Sequence, residues 1–303
     1  MDTIDFHLHL FSRPYFDALA GQSPQPGSPD ERLARAAQRA GIELPSPDLA
    51  AHVARWIEQF DRHQVAHVAA FASAPEEAPA LAEAARLAGG RITPFALVNP
   101  TVDGAAARVR TLLESKGFRG VLLFPALHHY DVSGPACREL LGVLDEHRAV
   151  AYVHCGLLVV KLRDLLGLPR TSDLRFAAPL NLIPAANAFA NARFVIPHFG
   201  AGLFRETLLA GAQCPNVFVD TSSSNAWIRT QPAALSLRDV FARALAVFGA
   251  GRVLFGTDSN TFPAGWRADR RDEQRLALEE LGASKADQEL IFAGNARRLL
   301  ARE

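Results

Sequence analysis

The strongest constraint on the fold is a repeating alternation of eight short apolar runs, each followed by a segment with helical periodicity. Strands that alternate with helices along a chain form βαβ units and a parallel sheet. Eight such units need about 250 residues plus insertions, which is the size of a (β/α)8 or TIM barrel. We therefore predict an α/β fold in which residues 1–303 form a single TIM-barrel domain. The predicted strands cover residues 3–10, 67–73, 92–99, 120–125, 150–155, 194–199, 217–220 and 253–257.

The main structural alternative is a doubly wound open sheet. Such sheets bind dinucleotides through a glycine-rich turn after the first strand, and no such turn follows residues 3–10. Two connections, residues 12–50 and 156–178, are longer than ordinary loops. Both follow the carboxyl ends of predicted strands, where the active sites of barrels lie. They are predicted either as lids or substrate-binding walls, or as mobile surface loops.

Composition restricts the partners of the chain. Its 32 Lys and Arg residues balance 32 Asp and Glu residues, so no basic surplus is available to bind nucleic acid or an anionic membrane. The longest apolar run, residues 149–160, is interrupted by His154 and is too short to cross a bilayer. Three unpatterned cysteines argue against a disulfide framework, and the N-terminus lacks the features of a signal peptide. We expect a cytoplasmic protein with a small-molecule substrate; base rates favour a homodimer.

The motif Asp5-Phe6-His7-Leu8-His9 in the first predicted strand is the first indication of chemistry. Because side chains alternate along a strand, we expect His7 and His9 on one face and Phe6 and Leu8 on the other. Two imidazoles at the carboxyl end of a barrel strand can bind one divalent ion. Taken alone, the motif is equally compatible with an incidental pair of histidines.

Three further polar residues end predicted strands: His154 ends the fifth, His198 the sixth and Asp258 the eighth. A single histidine at such a position is more often a hydrogen-bonded core residue than a metal ligand. A buried carboxylate, in contrast, requires a cation or strong hydrogen-bond donors. Because the strand ends of a barrel converge on one mouth, these residues together predict a metal site there. Nitrogen and oxygen ligands favour zinc, with iron or manganese as alternatives.

Together these motifs resemble the amidohydrolase superfamily. Within it, the chain is most similar to the branch of the amidohydrolase-related (amidohydrolase 2) and aminocarboxymuconate-semialdehyde decarboxylase-like proteins. The similarity extends over the whole chain. The matching segments are Asp-Phe-His-Leu-His at 5–9, His154, His-Phe-Gly-Ala-Gly at 198–202, Phe-Gly-Thr-Asp at 255–258 and residues 291–300.

The resemblance implies a role for each of these polar residues. It implies four ligands for one metal ion: His7, His9, His154 and Asp258. Asp258 would also accept a proton, and His198 would lie beside the reacting water or the substrate. Binuclear members of the superfamily carry a carboxylated Lys or a Glu on strand four, but residues 120–125 read Gly-Val-Leu-Leu-Phe-Pro. We therefore predict one metal ion rather than two.

Three functions are compatible with this site. The leading hypothesis is metal-dependent hydrolysis of a small ester, lactone or amide, in which Asp258 takes the proton of the attacking water and His198 helps to stabilise the oxyanion. The alternative is nonoxidative decarboxylation of a small unsaturated or aromatic carboxylate at the same metal site. The third is a barrel that binds a ligand without catalysing a reaction, or that holds no metal.

Residues beyond the strand ends are candidates for substrate contacts: His128, Arg163, Arg205 and Trp266. An arginine can bind a substrate carboxylate through its planar pair of donors, and a tryptophan can form an apolar wall. The alternative for each residue is an ordinary loop or surface position. Asp220 ends the seventh predicted strand and is expected either to cap the next helix or to hold a ligand histidine by its other ring nitrogen.

Overall fold

One sheet of eight parallel strands, paired in chain order, forms the centre of the computed structural model, which describes residues 2–301. The first and last strands are also joined, because the amide of Phe6 donates to the Phe255 carbonyl (2.8 Å) and that of His9 to the Ser259 carbonyl (2.9 Å). The predicted TIM barrel is confirmed, and the doubly wound alternative is excluded. The strands are β1 (Thr3–His9), β2 (Val65–Ala72), β3 (Ile92–Leu97), β4 (Gly120–Leu123), β5 (Val150–Val153), β6 (Arg193–Ile196), β7 (Val217–Asp220) and β8 (Val253–Leu254).

Helices connect the strands and cover the outside of the barrel. Several begin with local sequence signals, such as the capping box in which Ser236 and Asp239 exchange side-chain-to-backbone hydrogen bonds. No helix within residues 2–301 has the length and apolar character needed to cross a membrane. The described α-helices are α1 (Arg13–Gln22), α2 (Pro29–Ala40), α3 (Leu49–His63), α4 (Ala78–Leu87), α5 (Ala105–Ser115), α6 (Pro125–His128), α7 (Pro135–Glu146), α8 (Lys161–Leu165), α9 (Ile183–Ala188), α10 (Phe204–Gln213), α11 (Leu237–Phe248), α12 (Ala268–Glu280), α13 (Lys285–Glu289) and α14 (Asn295–Leu300).

The predicted domain limits and strand ends differ slightly from the structure. Residues 1, 302 and 303 of the predicted domain lie outside the described residues. The strand predicted over 253–257 ends at Leu254, because the amide of Thr257 donates to the Asp5 side chain (3.1 Å) instead of to a neighbouring strand. A side chain has here replaced part of the regular backbone pairing, at the end of the strand that carries Asp258.

Aromatic rings fill the interior of the barrel below its carboxyl-terminal mouth. Tyr152 packs against Phe71 and Phe6, with ring centroids 4.7 and 6.1 Å apart. His7 also contacts Tyr152, at 5.3 Å between centroids, so His7 and Phe6 both reach the interior. The prediction of strict alternation along β1 is therefore wrong at this point. The cause is an irregularity in the pairing of β1 with β2 between Asp5 and Leu8.

The two long insertions contain helices that pack against each other, and we call α1, α2 and α8 together the cap. Their apolar side chains form a small core of their own, which includes Phe16, Leu33 and Leu166. Ser23 Oγ donates to the Leu166 carbonyl (2.6 Å), and Gln25 Nε2 donates to the Leu165 carbonyl (2.9 Å). Residues 12–50 and 156–178 are thus joined to each other as one layer. Movement of this layer as a lid stays a prediction.

Gly256 is required where the end of β8 passes β1 and the residues that follow β7. A Cβ atom there would lie 2.8 Å from His7 Cβ and 3.0 Å from Ser222 Cβ. We predict that Gly256→Ala lowers the free energy of unfolding by about 1–3 kcal/mol, because the added methyl displaces well-packed groups. Gly251→Ala is the matched control, because a Cβ there meets nothing within 4 Å. Urea unfolding of both variants tests this, and equal unfolding free energies would contradict the assigned packing.

Candidate metal centre

His7 and His9, at the end of β1, bring two ring nitrogens close together at the mouth of the barrel. Their Nε2 atoms are 3.3 Å apart, and the Nδ1 atom of each ring contacts a side chain of another residue. His7 Nδ1 lies 2.8 Å from Asp220 Oδ2, and His9 Nδ1 lies 2.6 Å from Ser73 Oγ. A carboxylate only accepts, so His7 carries its proton on Nδ1 and its Nε2 has a free lone pair. A serine hydroxyl can donate or accept, and when His9 also leaves its Nε2 unprotonated the two facing nitrogens form a site for a cation.

Asp258 completes a group of three. Its Oδ1 lies 3.5 Å from His9 Nε2 and 3.8 Å from His7 Nε2, and one potential ligand atom from each residue lies within 4.8 Å of the other two. No hydrogen bond reaches the Asp258 carboxylate from the residues that the structure describes. The backbone of Asp258 has a positive φ of 59°, a conformation that a non-glycine residue adopts at a cost. This strain turns the carboxylate toward the two imidazoles.

The electrostatics of the group favour a bound cation. Burial, and then the charges of Asp220 and Asp5, raise the pKa of Asp258 to about 8. Burial, and then His154, lower the pKa of His7 to about 3. The pKa values of His9, His154 and His198 are also well below the usual histidine value, chiefly because of burial. Neutral imidazoles beside a carboxylate that lacks donors are the ligands of a divalent first-row metal, so the residues present fit such an ion.

His154, the fourth predicted ligand, lies beside this group. It is buried in the wall of the same mouth, with its ring centroid 5.3 Å from that of His198. Its Nδ1 is buried and has no hydrogen-bond partner among the described residues, which leaves that nitrogen free for another ligand. The structure thus brings three of the four predicted ligands into one cluster, and the role of His154 as a ligand stays a prediction.

Asp220 holds His7 and does not cap a helix. Its Oδ1 accepts from the backbone amides of Ser222 (2.7 Å) and His198 (3.1 Å), while Oδ2 accepts from His7. Burial raises the pKa of Asp220 to about 7, and the bonds from Ser222 and His198 oppose that rise. His7, His198 and Asp220 are themselves close enough to form a metal group. Because these hydrogen bonds already occupy Asp220, the group with Asp258 is the better metal site.

A cavity of about 530 Å³ opens above the metal group. His9, His154, His198 and Asp258 form its polar floor. Most of the remaining wall is apolar and comes from the cap and from the segment after β5. The apolar lining residues include Phe11, Tyr15, Phe16, Leu19, Leu157 and Leu158.

Of the four predicted substrate residues, Arg163 lines this cavity and the others do not. Arg205 has a side chain that is 81 % exposed, and its ion-pair partner is Glu206. Trp266 is buried away from the cavity, where its Nε1 donates to Asp5 Oδ2 (2.8 Å). His128 is half-buried and stacks on Tyr130. Position after a strand predicted the right end of the barrel for these residues, but could not predict which way each side chain points.

Three residues that support the site were assigned no role from the sequence: Asp5 and Glu77, which are buried, and Ser73, which is half-buried. Asp5 accepts from the amides of His7 (3.0 Å) and Thr257, and so ties β1 to the end of β8. Ser73 bonds His9, and Glu77 accepts from the Ser73 amide (2.8 Å). Asp5 belongs to the same motif as the histidines, which is a usable signal. Nothing in the local sequence marks Ser73 or Glu77.

The family of the chain follows from a whole-length match, because the sequence model described as Amidohydrolase matches residues 4–302. The chain belongs to the amidohydrolase family. This is an enzyme family, and the match covers every residue of the metal group and of the cavity floor. A comparison with curated protein sequences found no match.

Solved structures share the amidohydrolase fold at low sequence identity. The 5-carboxyvanillate decarboxylase from Sphingomonas paucimobilis has a TM-score of 0.68 and 13 % identity, with 99 % of this chain and 98 % of that chain covered. A probable 2-pyrone-4,6-dicarboxylic acid hydrolase from Acinetobacter baumannii, with citric acid bound, has a TM-score of 0.63 and 15 % identity over 99 % of both chains. A 5-carboxyvanillate decarboxylase from Novosphingobium aromaticivorans, complexed with manganese and 4-hydroxy-3-methoxy-5-nitrobenzoic acid, has a TM-score of 0.60 and 16 % identity, covering 99 % of this chain and 95 % of that one. These similarities concern the fold.

We predict that Asp220→Asn weakens zinc binding about 10- to 100-fold, because an amide nitrogen replaces an oxygen that accepts from His7 or from the backbone. Competition with a chromophoric chelator measures the affinity. Asp103→Asn, in an exposed loop, is the control and is expected to bind zinc as the parent does. Equal affinity of Asp220→Asn and the parent would show that His7 needs no support from this carboxylate.

Proposed function

We propose that this amidohydrolase hydrolyses a small ester, lactone or amide with one divalent metal ion held by His7, His9, His154 and Asp258. The observation that carries the proposal is the convergence of three groups at the floor of a cavity. Two are imidazole Nε2 atoms, and the third is a carboxylate that accepts no hydrogen bond from the described residues. Strand β4 supports a single ion, because Gly120–Leu123 offers no carboxylate or lysine that could bridge two. The donor set favours zinc, and manganese remains the competing ion.

The chemistry divides between the metal ion and the protein. A bound divalent ion polarises a carbonyl group and lowers the pKa of a coordinated water molecule. Asp258 accepts the proton of the attacking water and passes that proton to the leaving group. His198 lines the cavity next to His154 and contacts the reacting group from the other side. The cap limits access of bulk water to this floor.

The buried, unpaired cysteines support a reducing compartment for this enzyme. Cys137, Cys155 and Cys214 are all free and buried. Burial raises the pKa of Cys155 to about 12, which makes this thiol a packing residue rather than a nucleophile. We propose a cytoplasmic location on this basis.

The position of Arg163 in the cavity wall favours a substrate that carries an acid group. It is half-buried in the cavity wall on α8, and its guanidinium makes no ion pair or hydrogen bond with the residues that the structure describes. The neighbouring carboxylate of Asp164 is instead bound by Arg170, through bonds of 2.9 and 2.6 Å. A guanidinium without a partner in a largely apolar cavity is available to a substrate carboxylate.

We expect Arg163→Ala to raise KM for an acid-bearing substrate about 10- to 100-fold with little change in kcat, because the lost charge-assisted bond is worth about 1.5–3 kcal/mol. Arg205→Ala removes an exposed arginine outside the cavity and is expected to leave KM unchanged. Steady-state kinetics with an acid-bearing ester and its neutral analogue test the assignment. A KM that rises equally for both esters would argue against a role in carboxylate recognition.

The second candidate function is nonoxidative decarboxylation, and the cations of the cavity favour it. Lys161 and Arg163 could anchor a substrate carboxylate above the same metal group. The fold relatives named 5-carboxyvanillate decarboxylase show that this barrel accommodates such chemistry in other proteins. Hydrolysis consumes water and leaves an acid, whereas decarboxylation releases carbon dioxide.

A screen of esters, lactones and aromatic carboxylates with zinc- or manganese-loaded protein in ¹⁸O-labelled water tests the proposal. Hydrolysis predicts label in the acid product, loss of activity after chelation, and a kcat about 100-fold or more lower in Asp258→Asn. Asp103→Asn is the control variant. Carbon dioxide release without label in the organic product would favour the decarboxylase, and full activity of Asp258→Asn would refute its role as proton acceptor.

A further inference from the structure

Four donors surround the buried carboxylate of Asp220. Oδ2 accepts from His7 Nδ1 (2.8 Å), and Oδ1 accepts from two backbone amides and from the hydroxyl of Ser222. An ionised carboxylate accepts hydrogen bonds and cannot donate them, and this ring of donors is the environment that the ionised form requires. Asp220 therefore acts as an acceptor toward each of these groups.

The Ser222 hydroxyl has a single proton and three polar neighbours, of which His7 Nδ1, at 3.0 Å, already donates its own proton to Asp220. Its Oγ contacts Asp220 Oδ1 and lies 2.7 Å from His198 Nδ1. Because Asp220 cannot donate, the hydroxyl proton points to Asp220. Only lone pairs of Oγ then remain for His198, so the contact is a hydrogen bond only when His198 Nδ1 carries a proton.

We propose that Ser222 is a positioning residue that fixes neutral His198 in the tautomer protonated at Nδ1, a role whose catalytic meaning rests on the proposed hydrolase function. His198 Nε2 has no hydrogen-bond partner among the described residues, and the residue lines the cavity. In this tautomer Nε2 has a lone pair, so it accepts a proton or a hydrogen bond from the reacting water or the substrate. Donation to an oxyanion, the role expected from the sequence, is then open only to the protonated ring.

One carboxylate thereby sets the tautomers of two histidines. Asp220 holds His7 directly and His198 through Ser222, and the two rings lie 4.8 Å apart between centroids. The two connections can be separated by mutation. Loss of the Ser222 hydroxyl removes its 3.0 Å contact with His7 but leaves the shorter 2.8 Å bond from His7 to Asp220 in place, so it should alter His198 while His7 stays available to the metal.

Long-range ¹H–¹⁵N correlation NMR of zinc-loaded, ¹⁵N-histidine-labelled protein reports the tautomer of each ring without requiring turnover. His198→Gln assigns the resonances of His198. We expect the parent protein to have Nδ1 protonated and Nε2 unprotonated near neutral pH, and Ser222→Ala to populate the form protonated at Nε2. A proton on Nε2 in the parent, or an unchanged tautomer in Ser222→Ala, would overturn the proposal.

Thr221→Val is the matched control, because it also removes a buried hydroxyl at the end of β7. Thr221 Oγ1 bonds Gln274 and the Gly256 amide and contacts neither histidine. With a substrate from the screen, Ser222→Ala should lower kcat about tenfold or more with zinc content and KM unchanged, whereas Thr221→Val should retain kcat and the parent tautomer. A loss of kcat of equal size in both variants would show that Ser222 contributes only to packing and does not position His198. If the screen finds no hydrolysis, the hydrolase function fails while the NMR result still decides the tautomer.

Discussion

The seam between β1 and the end of β8 is the interaction on which the rest of the site depends. The amide of Asp258 donates to the His7 carbonyl (2.9 Å), and Asp5 accepts from amides on both sides of the seam. These bonds bring the two ends of the chain together and close the barrel in the same step. The metal group lies on this seam, so the bonds that close the barrel also position His7 and Asp258 relative to each other. Gly256 permits the approach because it has no side chain.

The buried carboxylates at this mouth are stabilised by hydrogen bonds rather than by ion pairs with lysine or arginine. Asp5 and Asp220 are both fully buried, and their bonds come from amides, hydroxyls, an indole and an imidazole. Asp258 differs because no described group donates to its carboxylate and because its side chain is 28 % exposed, at the cavity floor. The oxygen atoms of two carboxylates are thus occupied by hydrogen bonds, whereas those of the third are available to a cation. This difference supports Asp258 as a proposed ligand more strongly than its position in the sequence does.

Much of the fold could be predicted from sequence, because strand and helix periodicities are local and eight βα units leave few topologies. The polar strand ends were predicted for the same reason, since parallel strands place His7, His198 and Asp258 at one mouth. The predicted orientation of Phe6, on the face opposite His7, was wrong. The irregular pairing that lets both side chains reach the interior depends on the neighbouring strand, which the local sequence does not describe. The direction of Trp266 depends on Asp5, a partner 261 residues away. Such contacts have no local signature.

The cap and the metal group share one buried carboxylate, which connects substrate binding to the geometry of His9. Glu77 accepts from the amide of Ser12 (2.6 Å), where α1 begins, and from the amide of Ser73, whose hydroxyl bonds His9. Burial raises the pKa of Glu77 to about 7, and the bonds from Ser73 and Ser12 oppose that rise. A shift of α1 therefore changes the environment of Ser73, which orients the proposed metal ligand His9. The cap is therefore not structurally independent of the metal group, because Ser12 and Ser73 donate to the same carboxylate.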